Sequence, residues 1–231
     1  VDSVSFPKVF KSRRGSGSDH VQLVNTRKDA KKIIRQAFGR GFPQYDASSN
    51  LKERLRLFRH RKTGLMNVIK GIIRLGYTTE FSKVVGNEKG YVYFQDFIAN
   101  NDHDIRINVV DAKAFAVRRD VREGDFRASG SGFKHYEKHY FSEKVVKIAQ
   151  DVAKKLNLQA VAFDFVQRNG EFLIAELSYG FCDMTDECTG YWDEDLNWHA
   201  GQFHEQDWMV DMMVRAIHSQ QPVVNKVNTY N

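Results

Sequence analysis

The first part of the chain alternates between short apolar runs and polar breaks. Apolar runs at 6–11 and 21–24 flank the polar, glycine-bearing segment 12–20, and this pattern predicts a β-hairpin with a long flexible tip. Thr26 precedes a segment in which apolar residues recur at helical spacing to about Phe38, so we expect Thr26 to cap a helix there. The apolar face of this helix would consist of Ala30, Ile33, Ile34 and Ala37.

Residues 44–80 differ from the preceding part of the chain in composition and periodicity. A polar stretch is followed by the basic segment 52–62 and then by the amphipathic segment 64–77, and both are typical of helices. We interpret 44–80 as an insertion or a helical subdomain. A solvated helix face is the simpler explanation for the basic residues of 52–62.

Strand patterns return after residue 90. The runs 91–98, 104–110 and 113–119 are separated by short polar breaks, which favours an antiparallel meander. Ser142 and Glu143 then begin a helix over 143–156 that carries an apolar stripe.

The last part of the chain contains two more strands, an irregular segment and a helix. The strands lie in "AVAFDFV" and "FLIAELS", which are joined by the turn "RNGE". We expect an irregular segment at 179–206, a helix at 208–218 capped by Asp207, and a loose tail at 221–231.

Composition limits the class of protein. The chain has 231 residues, of which 42% are hydrophobic and 28% charged, as in one large globular domain or two small lobes. No apolar run reaches membrane-spanning length and the first residues lack the apolar core of a signal peptide, so we expect a cytoplasmic protein with no membrane partner. The start at Val1, with a strand-like run almost at once, suggests a piece of a longer polypeptide.

Charge and cysteine content add two further constraints. The formal net charge of +6 and the isoelectric point near 9.2 favour a polyanionic ligand, without choosing among a nucleotide, an acidic metabolite and nucleic acid. Only Cys182 and Cys188 are present, which excludes a disulfide framework and favours a reducing compartment.

Two carboxylates on the neighbouring strands carry the most chemical information. Asp164 and Glu176 each lie among apolar residues, where an unpaired carboxylate would be costly to bury. A divalent cation such as Mg²⁺, bound by one or two carboxylates and by phosphate oxygens, would supply the missing positive charge. The alternative is an ordinary hairpin whose acids face solvent or contact an arginine.

The polar tip of the first hairpin suggests a phosphate site. Glycines in "GSGS" permit backbone N–H groups to approach phosphates closely, and Lys11 at the end of the entering strand could reach a phosphate as a point charge. The segment is neither a P-loop nor a dinucleotide-binding "GxGxxG", and a flexible surface turn is the more common form of such a string.

Taken in this order, the segments resemble the ATP-grasp fold of D-alanine:D-alanine ligases, glutathione synthetases and ribosomal-protein glutamate ligases. The matching marks span 7–180 and consist of "PKVFK" with "SRRGSGSDHVQLV", then "QDFI", "DIR", "RAS" and the pattern of Asp164, Glu176 and Ser178. The resemblance implies an α+β fold in which two lobes of antiparallel sheet and helices hold a nucleotide between them. It further implies a small lobe with the glycine-rich loop at 1–43, the insertion at 44–80, the rest of the small lobe with the adenine hinge at 81–99, and a large lobe with the metal site at 100–220.

The resemblance also assigns roles to residues. Arg106 would steady a substrate carboxylate or developing phosphate charge, and Arg127 would share the catalytic role. The ATP-binding set would be Lys11, Gly15, Ser16, Gly17, Ser18, Gln95, Asp96, Phe97, Ile98, Asp104, Arg127, Ala128 and Ser129. The metal ligands would be Asp164, Glu176 and Ser178.

Two substitutions depart from the family pattern. Ser129 replaces the asparagine of the "RAN" segment, and Ser178 replaces the asparagine of "ExN", which in the family is a metal ligand. A hydroxyl oxygen can still coordinate Mg²⁺, directly or through water, although it is shorter than a carboxamide. Altered metal geometry or one weaker site would follow.

The implied activity is an ATP- and Mg²⁺-dependent ligase that activates a carboxylate as an acyl phosphate for capture by an amine. Mn²⁺ could replace Mg²⁺. The aromatic and acidic segment after Glu176 would suit a small-molecule or sugar-linked acceptor, and similar segments occur in ATP-grasp proteins of polysaccharide biosynthesis clusters. The expected partners are therefore the nucleotide, a carboxylate and an amine; a homodimer is allowed for, and nucleic acid is not expected.

Several alternatives stay open. The same nucleotide site would serve a kinase-type phosphotransferase, and Ser129 and Ser178 also allow a nucleotide-binding pseudoenzyme. A basic protein with aromatic strands could bind nucleic acid, although no recognised RNA-binding motif is present. A zinc site from Cys182, Cys188, His199 and His204 has longer cysteine spacing than structural zinc sites prefer. His103 and His135 are interpreted as loop residues.

Overall fold

The computed structural model describes residues 3–12, 21–43, 47–59, 61, 63–76, 84–121, 125–128 and 133–220. These residues form two compact units that divide between Phe97 and Ile98. Each unit contains helices and an antiparallel sheet, so the predicted α+β class is confirmed. Within the described residues, no helix is both long and apolar enough to cross a bilayer.

The first unit is built on a small antiparallel sheet of order β2-β1-β3. Its elements are β1 (Lys8–Lys11), β2 (Gln22–Val24), α1 (Arg27–Phe38), α2 (Ala47–Arg59), α3 (Leu65–Gly76) and β3 (Tyr93–Asp96). One sheet face packs on α1 through a core of Phe10, Val24, Ala30, Ile33, Ala37 and Phe42. Thr26 caps α1 as predicted, because its side chain accepts a hydrogen bond from the Asp29 backbone N–H at 3.2 Å.

Helices α2 and α3 form the region that the sequence predicted as helical. Gly71 lies where they approach closely: a Cβ added there would lie 2.8 Å from the Cδ atom of Arg54 and 3.0 Å from a methyl group of Leu51, so these side chains would have to shift. Arg54 also donates to the backbone carbonyl of Asn67 at 2.8 Å, which ties the two helices together.

The second unit is built on a larger antiparallel sheet of order β10-β9-β5-β4-β7-β8, with β6 paired to β5. Its elements are β4 (His103–Val110), β5 (Lys113–Asp120), β6 (Lys134–His135), α4 (Glu143–Lys155), β7 (Ala160–Arg168), β8 (Glu171–Ser178), β9 (Gly190–Trp192), β10 (Trp198–Ala200) and α5 (Glu205–Gln220). Single turns of 3₁₀-helix lie at Lys138–Tyr140 and Thr185–Glu187.

The two faces of this sheet differ in chemistry. Ile107, Val109 and Phe163 point to one face and pack against α4, where the core of the unit lies. Because side chains alternate along a strand, the residues between them point to the other face. On that second face, the end of the sheet near Val110 and Phe115 is covered by the segment that contains Cys188, Phe203 and Trp208.

Three local predictions differ from the structure. The last helix begins at Glu205 rather than after Asp207, so the predicted cap is wrong. Ser142 occupies the cap position of α4 but makes no side-chain capping hydrogen bond. The segment predicted as irregular contains the β9–β10 hairpin, which is held by pairing of Trp192 with Trp198.

Candidate functional site

The candidate site lies on the second face of the larger sheet and is assembled by strand register. The two-residue turn between β4 and β5 places Asp104 opposite Arg119. The pairing of β4 with β7 places Arg106 opposite Asp164. Directly opposite residues of antiparallel strands point to the same face, so four charged side chains meet there.

These four side chains form a continuous ionic network. The Arg106 guanidinium donates to both carboxylate oxygens of Asp164, with Nε–Oδ1 at 2.6 Å and Nη2–Oδ2 at 2.9 Å. Arg119 donates in the same bidentate way to Asp104, with both N–O distances at 2.7 Å, and its Nη2 atom lies 3.0 Å from Asp164 Oδ2. Arg119 therefore bridges the two carboxylates, and its side chain is only 9% exposed.

Burial and charge act on the carboxylates in opposite directions. Burial alone would raise the pKa of Asp164, but the hydrogen bonds from Arg106 and the charge of Arg119 outweigh it and hold this pKa below its ordinary value. For Asp104, burial outweighs the bond from Arg119 and raises the pKa. Burial alone would lower the pKa of Arg119, but the bonds and charges of Asp104 and Asp164 outweigh it and raise this pKa, so the cation stays charged.

A β-bulge brings Glu176 to the same place. Strands β7 and β8 pair regularly as far as Phe165 opposite Ile174, and the register then shifts so that Asp164 stands opposite Glu176. In strict alternation Glu176 would share a face with Ile174; the extra residue, Ala175, lets Glu176 stand beside Asp164 instead. The sequence predicted this pairing of acids.

Ser178 completes the group of oxygen atoms predicted as metal ligands. It stands opposite Ala162, two positions beyond Glu176 on the same face, and its hydroxyl donates to Glu176 Oε1 at 3.4 Å. Two carboxylates and a hydroxyl are oxygen donors of the kind that Mg²⁺ prefers. The donor atoms therefore suit Mg²⁺ in their chemistry, and a cation at Asp164 would share its carboxylate oxygens with the Arg106 guanidinium, the arginine contact that the sequence left as the alternative.

The same residues do not form a complete metal cage. In the part of the chain that the structure describes, no group of three or more histidine, cysteine, aspartate or glutamate side chains is placed to hold a metal ion. Mg²⁺ at nucleotide sites takes few protein ligands and completes its shell with phosphate and water oxygens. A cation bound by Asp164 and Glu176 would depend on such additional ligands.

Asn108 marks the inner border of the charged area. It lies two positions from Arg106 on the same face and stands opposite Phe115, where the apolar cover begins. The side chain is fully buried, and within the described structure neither its amide nitrogen nor its oxygen has a hydrogen-bond partner. A buried amide without partners destabilises the fold.

The first unit contains several of the other predicted ATP-binding residues. Gln95 stands opposite Val9 in the small sheet, and Lys11 lies two positions beyond Val9, so Lys11 and Gln95 share the sheet face that points away from α1. Asp96 points to the opposite face and accepts a hydrogen bond from the Lys8 ammonium group. The structure therefore places Lys11 and Gln95 on one sheet face, with Lys11 opposite Tyr93, and Asp96 on the other face.

The predicted adenine hinge falls at the division between the units. Phe97 ends the first unit and Ile98 begins the second, where its carbonyl accepts from the Asn101 side chain at 3.2 Å. The role of this segment in binding adenine stays a prediction.

The predicted "RAS" segment is described only in part. Arg127 forms a local ion pair with Asp125, with Nη2–Oδ2 at 2.7 Å, and Ala128 is buried. Ser129 lies outside the described residues, as do Gly15, Ser16, Gly17 and Ser18 of the predicted phosphate loop. Their roles stay predictions.

Arg119 and Asn108 were not predicted as functional residues. A signal for Arg119 was present, because a two-residue turn at 111–112 fixes the register and places Arg119 opposite Asp104. Asn108 had a weaker signal, a lone amide within the apolar alternation of "DIRINVV".

The residues of the zinc alternative have other contacts. The ring of His199 stacks on Tyr191, and its Nε2 atom lies 2.8 Å from Asp193 Oδ2, which contributes most to lowering the pKa of Asp193 to about 2. Cys188 is buried, which raises the pKa of its thiol to about 12, whereas Cys182 is exposed. A thiol with a raised pKa is a poor source of the thiolate that zinc binds.

The two histidines interpreted as loop residues lie in strands. His103 begins β4 and pairs with Asp102, while His135 lies in β6 with its Nε2 atom 2.9 Å from Asp120 Oδ2. Both belong to the sheet, so this part of the interpretation is wrong.

Comparison with known families identifies the superfamily of the segment that carries most of this site. Residues 76–183 match the RimK-like ATP-grasp domain. The match covers just under half of the chain and includes β3 to β8, with Asp104, Arg106, Arg119, Asp164 and Glu176. The resemblance to the ATP-grasp superfamily is thus confirmed over this segment. No curated protein sequence matches the chain.

Solved structures with some similarity include two of D-alanine–D-alanine ligase from Bacillus anthracis. The structure complexed with ATP has 11% identity and a TM-score of 0.49. The match covers 95% of this chain and 56% of the ligase chain. The other has 12% identity, a TM-score of 0.47, and coverage of 95% of this chain and 58% of that one. The chain thus spans little more than half of that ligase.

A third similar structure is the ATP-grasp ligase PsnB complexed with minimal precursor, Mg and ADP. It has 15% identity and a TM-score of 0.30, with 68% of this chain and 50% of that chain covered. Similarities at this level establish no common substrate or reaction.

Proposed function

We propose that the chain is the catalytic part of an ATP- and Mg²⁺-dependent ligase that joins a carboxylate to an amine. The observation that carries this proposal is the network of Asp104, Arg106, Arg119 and Asp164, with Glu176 beside it, on one face of a RimK-like ATP-grasp segment. Cations and carboxylates fixed in alternation suit a site that must hold both a metal ion and a triphosphate.

The two arginines of the network differ in their contacts and in solvent exposure, so we assign them different roles. Arg119 is held between two carboxylates and fixes the position of Asp164. Arg106 is more exposed, at 23% of its side chain against 9% for Arg119, so it can turn toward a substrate carboxylate or a transferring phosphoryl group. Asp164 and Glu176 would hold Mg²⁺, which when bound neutralises phosphate charge.

The reaction requires no side-chain nucleophile. A carboxylate oxygen attacks the γ-phosphorus of ATP, an O–P bond forms, and the bond from phosphorus to the ADP oxygen breaks. The amine then attacks the acyl carbon, phosphate leaves with its bonding electrons, and the nitrogen loses one proton. Arg106 and Arg127 would steady the negative charge that these steps develop.

The cover of the charged face suggests where the acceptor binds. Tyr191, Phe203 and Trp208 pack together over Phe115, next to the charged end of the sheet. Phe115, Phe203 and Trp208 are themselves buried, so we propose that the exposed part of the segment that follows Glu176, beside this cluster, receives a small-molecule or sugar-linked acid or its amine partner.

The test is ATP turnover by the purified chain with panels of small and sugar-linked carboxylic acids and amines. Mg²⁺-dependent ADP release that requires both an acid and an amine, with a product mass equal to their condensation, would support the proposal. The variant Asp164→Asn should abolish release, whereas Asp120→Asn, on the other face of the same sheet, should leave it within about twofold.

Other outcomes of this experiment would each indicate a different function. ADP release with a phosphorylated acceptor and no need for an amine would identify a phosphotransferase. Mg²⁺-dependent ATP binding without turnover by any pair would favour a pseudoenzyme. Salt-sensitive binding of nucleic acid that nucleotide does not affect would favour a nucleic-acid-binding module.

A further inference from the structure

Helix α3 in the first unit presents an apolar stripe to solvent. Leu65, Met66, Ile69, Ile72 and Ile73 recur at helical spacing on one side of the helix and are each between 40% and 64% exposed. The opposite side carries the buried residues Val68 and Gly71. The exposed stripe is therefore an additional apolar surface and not part of the helix pair's own core.

Positive charge accompanies this stripe. Lys70 and Arg74 follow Met66 at i+4 spacing, so they lie along one edge of the stripe, and both are exposed. The segment 47–76 contains eight lysine and arginine residues and one acidic residue. The surplus extends to the whole unit, where residues 1–97 contain 20 lysine and arginine residues and 8 aspartate and glutamate residues.

A second exposed stripe, on α5, provides a comparison within the same chain. Val210, Met213 and Ile217 are between 57% and 64% exposed, but the exposed acids Asp207 and Asp211 lie beside them. The two stripes are similar in exposure and opposite in charge. Of these two stripes, the one on α3 has flanking cations and no acidic residue on its own helix.

We propose that the α2–α3 helix pair docks this stripe on the surface of an anionic lipid bilayer. An amphipathic helix with aliphatic side chains on one face and lysine and arginine beside them lies in the membrane interface, with its cations at anionic headgroups. The stripe is the outer, convex side of a helix and consists of aliphatic side chains, whereas the centres of protein interfaces favour tyrosine and tryptophan. Two copies meeting through this stripe would bring their Lys70 and Arg74 rows together, which charge repulsion opposes.

This surface changes one expectation from the sequence. The absence of a long apolar run led us to expect no membrane partner, but that criterion detects spanning segments only. Peripheral attachment through α3 needs no such run. It also does not depend on the proposed ligase activity.

The test is co-sedimentation of the chain with vesicles of phosphatidylcholine alone and of phosphatidylcholine mixed with phosphatidylserine. We expect binding that requires phosphatidylserine and weakens as salt is added. The double variant Lys70→Gln/Arg74→Gln should weaken it roughly twenty-five-fold, since each cation near the surface contributes about one factor of five. Ile72→Gln/Ile73→Gln should weaken it roughly tenfold or more through lost apolar contact.

Matched variants separate this proposal from its rivals. Met213→Gln/Ile217→Gln removes similarly exposed side chains from α5 and should leave vesicle binding unchanged. All the replaced side chains are exposed and glutamine is a good helix former, so each variant should keep the melting temperature of the parent chain. Binding that ignores phosphatidylserine, or no binding, would overturn the proposal, as would a dimer in sedimentation that the α3 variants convert to monomer.

Discussion

The two faces of the larger sheet show how one set of strands serves two purposes. On the face toward α4, buried side chains such as Ile107 and Phe163 form the core of the unit. Arg106 and Asp164 are the sequence neighbours of these two residues. They point to the other face, where they belong to an ionic network. The apolar face stabilises the fold, whereas the charged face includes groups that are costly to bury.

The difference is one of energetic role. A well-packed apolar face contributes through buried area and is weakened when a substitution leaves a cavity. The charged face depends on every partner being present, because a single removal leaves a buried charge without compensation. Because such a charged pattern does not serve stability, its presence indicates a function. Substitutions on the two faces should therefore have different effects.

The largest effect on stability is expected on the apolar face. Phe163→Ala removes a fully buried ring and should lower the free energy of unfolding by about 3–5 kcal/mol, as measured by urea denaturation. Where the variant remains folded, its affinity for Mg²⁺ and ATP should stay near that of the parent chain. A loss of nucleotide affinity larger than the loss of folded protein would contradict the separation of the two faces.

Asp164→Asn on the charged face should have a smaller effect on stability. It leaves Arg106 and Arg119 with fewer anionic partners, and we expect a loss of about 2–3 kcal/mol, below the range for a fully buried pair because Arg106 is partly exposed. The matched variant is Asp120→Asn. The Asp120 carboxylate pairs with Arg118 and His135 near the surface, and its loss should cost about 0–1 kcal/mol. Equal losses in the two variants would mean that the network has no special role.

Acidification should reduce the contribution of the charged face to stability, mainly through Asp164. Its folded-state pKa lies below the unfolded value of about 3.9, so the carboxylate stabilises the fold above that pH and this contribution disappears as the pH falls through the folded pKa. The stability difference between the parent chain and Asp164→Asn should therefore be full near pH 6 and shrink toward about pH 3. Thermal unfolding of both proteins over this range measures it.

Asp104 also titrates in this network. Burial raises its pKa and the charge of Asp164 adds to that rise, so the contribution of Asp104 differs between the two proteins. Measuring both proteins with Asp104→Asn added removes this contribution. A difference that grows on acidification would show that the direction of the Asp164 shift is wrong.

The smallest effect is expected at the border between the charged end and its apolar cover. Asn108→Leu replaces a buried amide without partners by an apolar side chain of similar size and should raise the free energy of unfolding by about 1 kcal/mol. Val109→Ala, on the apolar face next to it, is the control and should destabilise. Destabilisation by Asn108→Leu would show that the amide has a partner in solution, such as a bound water.

The sequence predicted the features that depend on neighbouring residues. The helix capped by Thr26, the antiparallel strands and the turn between Asp164 and Glu176 follow from local periodicity and turn residues, and the structure contains each of them. Local signals suffice there because the pairing partners are close in the chain. The same reasoning, applied to the β4–β5 turn, would have found Arg119.

Other features depend on distant contacts and could not be predicted in this way. The pairing of β4 with β7 joins Arg106 to Asp164 across 58 residues, and no local pattern fixes that register. Glu205 begins the last helix two residues before Asp207, and it is buried against the loop before β9, so tertiary packing overrides the better capping residue. The bulge at Ala175 likewise has no glycine or proline to indicate it.

The most direct measurement is a calorimetric titration with ATP in the presence and absence of Mg²⁺. We expect Mg²⁺-dependent heat for the parent chain and for Asp120→Asn, and a loss of at least roughly a hundredfold in affinity for Asp164→Asn and Glu176→Gln. Equal ATP affinity in all four proteins, whether or not Mg²⁺ is present, would contradict the assignment of the paired acids as the metal site.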